Sequence, residues 1–125
     1  IRKYADLLKE QKTAPFDGTG EIMVRSLLNG PDELYRKGRV FAHTTVYPGS
    51  TIGYHVHTGE SETYYILSGV GQFNDNGVMR EVKAGDVTFT GAGEGHGLAN
   101  TGNRDDRFNF IPVALFYFFH GYSTG

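Results

Sequence analysis

From residue 21 onward, short runs of β-branched and aromatic residues alternate with turns that carry glycine, and this punctuation excludes a helical fold. The chain has 18 Gly in 125 residues, together with 9 Phe, 8 Tyr and only 4 Pro. That is about twice the usual share of glycine, as many tight turns between short strands require. Strands are predicted over residues 21–28, 39–47, 51–57, 62–67, 71–75, 78–82, 86–90, 95–99 and 107–116. Asn76-Gly77 is the strongest hairpin signal, because both residues tolerate the positive φ of a type I′ turn. Pro48-Gly49, Gly69-Val70-Gly71, the stretch 83–86 and the loop 91–95 are further breaks. Residues 1–11 allow either a short helix with Tyr4, Leu7 and Leu8 on one face or an extended arm. About nine short strands at this spacing describe an all-β sandwich or barrel, and the length is that of one domain with one core.

Composition narrows the function classes. With no Cys, thiolate zinc sites, iron–sulfur clusters, disulfide frameworks and cysteine nucleophiles are out, so any metal must be held by nitrogen and oxygen. Lys plus Arg number 12 against 14 Asp plus Glu, which leaves no basic surface for nucleic acid. No stretch of about twenty apolar residues could span a bilayer. The opening residues lack the apolar core and cleavage site of a signal peptide, so no membrane partner and a cytoplasmic location are expected.

Three of the five histidines stand out. His55 and His57 are two apart on a strand candidate, so period-2 geometry sends both side chains to one face, shared with Thr51 and Gly53. Glu62 opens the next strand on the face of Tyr64 and Ile66, and an antiparallel return would lay its carboxylate beside the imidazoles. His96 begins a later strand, on the face of Leu98 and Asn100. Three neutral imidazoles and one carboxylate suit one divalent transition metal (manganese, iron, nickel or zinc), with about two positions left for exchangeable ligands. By itself a His-x-His pair is weak, since exposed strands also carry histidine. Tyr64 could orient a ligand or donate a proton, or could be a core aromatic with a bonded hydroxyl. His43 is a second tentative pocket residue. Glu60 and Glu94 read as solvated loop carboxylates and Asn100 as a turn residue that bonds backbone.

The spacing Gly49, five residues, His55, one, His57, four, Glu62, six, Gly69 resembles the first cupin motif at every fixed position. The run Gly85, five residues, Gly91, one, Gly93, two, His96, three, Asn100 resembles the second, with Gly91 where the family has Pro. Losing that Pro should loosen the loop before His96. The resemblance implies a single cupin domain over residues 1–125, with an N-terminal arm at 1–15 and motifs at 49–69 and 85–100. It implies a double-stranded β-helix, a jelly-roll barrel whose metal is held by His55, His57, Glu62 and His96. The chain looks like the small bacterial cupins, some of them called oxalate-decarboxylase-like. Oxalate decarboxylases, however, carry an Arg three residues before the first ligand His, where this chain has Ile52. Fold and metal therefore transfer and the reaction does not.

A metal carrying one carboxylate keeps a charge of about +1, which favours a small anionic or carbonyl ligand that binds through two oxygens. Such a site fits a metal-dependent enzyme of dioxygenase, decarboxylase, isomerase or cyclase type. The alternatives are a non-catalytic module that binds or senses a small acid or sugar, or a structural metal. Tyr54, Val56, Thr63, Tyr65 and Leu67 alternate with the inward residues and form one outward apolar patch, and residues 116–119 add an aromatic surface. Together with the family resemblance they predict a homodimer.

Overall fold

Alternation of inward apolar and outward residues decides where each strand sits, and β-strands account for nearly all regular structure in this computed structural model, which describes residues 1–102 and 109–120. Ten strands follow in order: β1 Lys9–Thr13, β2 Glu21–Leu28, β3 Gly38–Val46, β4 Thr51–Val56, β5 Glu60–Ile66, β6 Val70–Asp75, β7 Val78–Lys83, β8 Val87–Thr90, β9 Gly95–Ala99 and β10 Ile111–Phe119. Two short 3₁₀ turns, Tyr4–Asp6 and Pro15–Asp17, are the only helical pieces among the described residues. The start of the last predicted strand, at 107–108, lies outside the described residues.

The strands form two antiparallel sheets. The larger has the order β1-β2-β3-β10-β5-β8 and the smaller β4-β9-β6-β7, which gives the expected double-stranded β-helix. Its spine is β10, paired with β3 on one side and β5 on the other. Ile111, Val113, Leu115 and Tyr117 on β10 are buried and alternate with Pro112, Ala114, Phe116 and Phe118. Each large apolar side chain so buried contributes about 1.5–3 kcal/mol. Ile22, Ile52, Ile66, Phe73 and Leu98 complete the core between the sheets.

The predicted hairpin forms between β6 and β7, with φ of 52° at Asn76 and 94° at Gly77. At the N-terminus, the structure makes neither a full helix nor a free arm. Residues 9–13 form an added edge strand, from Lys9 opposite Arg25 to Thr13 opposite Glu21. All five of its residues are exposed, and its charged and amide side chains suit an edge that meets water.

Candidate metal centre

β4 and β9 build one wall. His55 and His96 are direct cross-strand partners, while Ile52 pairs with Leu98, so two residues of β4, Gly53 and Tyr54, lie opposite one of β9, Gly97. This bulge changes the face of the strand. Ile52 turns into the core in place of Thr51, His55 and His57 still point inward, and Tyr54 and Val56 point out. The expectation that Thr51 shares the histidine face is thereby corrected. Gly53 lies within the bulge, where a Cβ would collide with the carbonyl oxygen of Phe16. That close approach seats the Phe16 ring flat on His55, with centroids 3.7 Å apart and planes 12° from parallel. The segment reaches this position through left-handed backbone at Ala14, Phe16 and Asp17.

Glu62 comes from the opposite wall. β4 and β5 do not pair as a hairpin, because they belong to different sheets and Glu62 pairs with Thr90 and Tyr117. The carboxylate therefore faces the imidazoles across the barrel instead of lying beside them, which corrects the simple antiparallel return. The four residues nonetheless converge: their candidate ligand atoms all lie within 4.8 Å of one another. The three imidazole centroids form a near-equilateral triangle with sides of 4.7 to 4.8 Å. Glu62 Oε1 is 2.7 Å from His96 Nε2 and 3.1 Å from His57 Nε2, and these two nitrogens are 2.9 Å apart.

The protons on the outer nitrogens are directed away from the centre. His55 Nδ1 donates to the Gly53 carbonyl at 2.8 Å, leaving the Nε2 lone pair facing inward without a partner. His96 Nδ1 meets Thr90 Oγ1 at 2.8 Å, and a proton donated there likewise frees Nε2. Both Glu62 oxygens are buried and lack a well-aligned donor. A buried acceptor without a partner costs about 1–3 kcal/mol, and a divalent cation would satisfy all of these at once. Burial holds the His55 imidazole below its usual range, against the opposing Gly53 bond, so it stays neutral as a ligand must. For Glu62, burial pushes upward, but the His57 and His96 nitrogens outweigh it and keep the carboxyl below its ordinary range. This donor set fits a divalent metal ion.

The loop before His96 is tied by hydrogen bonds at Gly91. The Gly91 N–H donates to the Glu94 carboxylate at 2.8 Å, and Glu94 N–H donates back to the Gly91 carbonyl at 3.0 Å. A proline would have no proton for the first bond. His57 is stitched to the same loop, its N–H on the Glu94 carbonyl and its carbonyl accepting from Gly93. Glu94 is thus a loop staple. Asn100 bonds backbone as expected, donating to the Val46 and Asn109 carbonyls.

A cavity of about 120 Å³ opens beside the cluster, walled by Glu62, Tyr64, Tyr117, Arg39, Lys12 and Thr44 among others. Tyr64 is fully buried, its ring centroid 5.0 Å from that of His96. His43 does not join it. It alternates with the inward Ala42 and Thr44 and sits on the outer face of β3, where Tyr4 packs edge-on against it. Three residues escaped the sequence reading. Tyr117 lies inside the aromatic tail, 5.3 Å from the His57 ring, and the inward alternation from Ile111 was the signal for it. Burial, then the Glu62 carboxylate, push both the Tyr64 and Tyr117 hydroxyls well above the usual tyrosine range. Arg39 and Lys12 lie on strands remote from both motifs, and no local pattern marks them. Glu60, read as solvated, grips Arg39 through two hydrogen bonds of 2.7 and 3.0 Å.

A family model described as "Cupin domain" matches residues 42–112. An oxalate-binding protein of Thermotoga maritima is 46% identical over 115 residues, covering 92% of this chain and 94% of the relative. A crystal structure of a predicted oxalate decarboxylase from Thermotoga maritima superposes with a TM-score of 0.86 at 36% identity, covering 95% of this chain and 98% of that one. An uncharacterized conserved protein with a double-stranded β-helix domain from Klebsiella pneumoniae gives a TM-score of 0.64 at 22% identity, over 83% and 82% of the two chains, and shares the fold.

Proposed function

The chain belongs to the cupin family, and we propose that it captures oxalate or a similarly small carboxylate at a divalent metal ion held by His55, His57, Glu62 and His96. The observation that carries this reading is the convergence of three imidazoles and one carboxylate, in which the buried His55 Nε2 and both Glu62 oxygens have no hydrogen-bond partner. The oxalate-binding relative supports the ligand class. A bound divalent ion would supply Lewis acidity to the carboxylate oxygens of the ligand. The chain's own groups then orient it. Tyr64 and Tyr117 keep their hydroxyl protons and act as neutral donors. Among the described residues that wall the cavity, no free carboxylate or imidazole is left to serve as a general base, because Glu62 and the histidines form the cluster. That favours binding over an enzyme reading of decarboxylase, dioxygenase, isomerase or cyclase type. The test is metal analysis of protein purified without added metal, followed by oxalate titration in a calorimeter. Saturable one-to-one binding without formate release supports capture, and formate release would make the protein an enzyme.

We also propose a homodimer. The single outward patch expected from the sequence is split between two faces, since Tyr54 and Val56 belong to the smaller sheet and Thr63, Tyr65 and Leu67 to the larger. On the larger sheet, Tyr65 and Thr63 pair with exposed Val87 and Phe89, and on the adjoining β10 the rings of Phe116 and Phe118 pack against each other, tilted, with centroids 4.1 Å apart. This is the face that a second copy would cover. Light scattering should report about twice the chain mass, and Tyr65→Glu should shift it toward the monomer.

A further inference from the structure

The cavity that reaches the metal cluster through Glu62 carries two cations that neither motif contains. Arg39 stands on β3 and Lys12 on β1, and both wall the same space as Glu62, Tyr64 and Tyr117. Arg39 is fixed in two directions. Its Nε donates to Glu60 Oε2 at 3.0 Å and its Nη2 to Glu60 Oε1 at 2.7 Å, while the guanidinium lies 4.4 Å from the centroid of the Tyr117 ring. Nη1 makes no hydrogen bond among the described residues. Lys12 is held only by an ion pair of 3.9 Å to Glu10, both groups well exposed. Thr44, on the same wall, is fully buried, and its Oγ1 has no hydrogen-bond partner.

The cavity thus meets two sources of positive charge. A divalent ion with Glu62 as its single carboxylate ligand would keep a charge of about +1. The same cavity is lined by an ammonium and an oriented guanidinium. A ligand with one negative charge satisfies only the metal, whereas a dianion answers the metal and the cations. The volume of about 120 Å³ equals the liquid share of some four water molecules, room for a diacid of roughly two to four carbons. Ile52, on β4, lines the same cavity as an apolar side chain, so the cationic contact comes from β1 and β3.

We propose that Arg39, set by Glu60 and Tyr117 and assisted by Lys12, reads the second negative charge of the ligand and makes the site selective for small dicarboxylates over monocarboxylates. The proposal rests on the metal-centred capture described above. Hydrogen bonds between charged groups set its scale, at about tenfold or more in affinity for Arg39.

The experiment is calorimetric titration of manganese-loaded protein with oxalate and with glycolate, which both bind through two oxygens but differ by one charge. Arg39→Gln should weaken oxalate about tenfold and glycolate less than about twofold, with metal content unchanged. Arg39→Lys should restore part of the loss, and Lys12→Gln should weaken oxalate about threefold. An oxalate-to-glycolate ratio equal to wild type in both glutamine variants overturns the inference and leaves metal-centred capture standing. Failure of the wild type to bind either acid overturns both. Where Arg39→Gln does not fold, Arg39→Lys, which keeps the charge but loses the planar fork, and the exposed Lys12→Gln carry the test, and a wild-type oxalate-to-glycolate ratio in both overturns the inference.

Discussion

The two walls of the barrel were assembled under different rules. The β4–β9 wall holds its three histidines on neighbouring strands, set by one bulge, and it is rich in glycine at Gly53, Gly95 and Gly97. The β1–β2–β3–β10–β5 wall contributes single residues from four strands: Lys12, Arg39, Tyr117 and Glu62. Ligand atoms that must share one ion within a few ångströms need rigid, adjacent backbone. Groups that read a ligand's outer charge act over longer distances and tolerate long side chains on separate strands. The first wall is therefore sensitive to small steric changes and the second to changes of charge.

The largest separation between the walls should come from His96→Ala, which removes a fully buried candidate ligand from the β9 side. Metal content after dialysis should fall by most of its value. With metal at about a hundred times its dissociation constant, wild type gains roughly 2.7 kcal/mol, so chelator should lower its Tm by several degrees and leave the variant unmoved. Equal metal in variant and wild type would remove His96 from the site.

Gly53→Ala should cost about 2 kcal/mol, because its Cβ meets backbone at Phe16 that cannot move without unseating the ring on His55. Thermal denaturation should show a Tm lower by several degrees, together with weaker metal retention. Unchanged metal affinity at reduced Tm would mean that the Phe16 segment supports the fold and not the site.

The smallest effect lies outside both walls. Arg2 holds the Glu33 carboxyl at about 2 through a bidentate pair, with the Asn29 N–H adding to it. A carboxyl with a depressed folded-state pKa stabilises the protein above its unfolded value and loses that contribution as pH falls toward 2. A modest drop in Tm between about pH 4.5 and 2 should therefore be smaller in Glu33→Gln. The pair is exposed, so salt should shrink the difference further.

The parts of the site legible in the sequence are those of short range. Asn76-Gly77 announces its hairpin because the turn needs positive φ at both positions. His55 and His57 share a face through the strand period, and the motif spacing joined them to Glu62 and His96. The inward set on β10 follows the same alternation, and it hid Tyr117 only because its neighbours are all aromatic. Arg39 and Lys12 were not legible. Each is an ordinary surface-type residue until β3 and β1 come to rest on the wall opposite the histidines.

Sequence alone determined most of the strands from residue 21 onward, the turns, the absence of thiolate chemistry and the shared face of His55 and His57, while the motif resemblance joined these to Glu62 and His96. These depend on backbone propensity and residue chemistry, which act over a few positions. Only the tertiary structure decided that β4 and β5 part into different sheets, that a bulge turns Ile52 inward, and that His43 faces out under Tyr4. It alone placed Arg39 against Glu60 and Tyr117 at the cavity. Those outcomes follow from which strands pair across the barrel, and strand pairing is chosen by the burial of the whole core, which no local run of residues encodes.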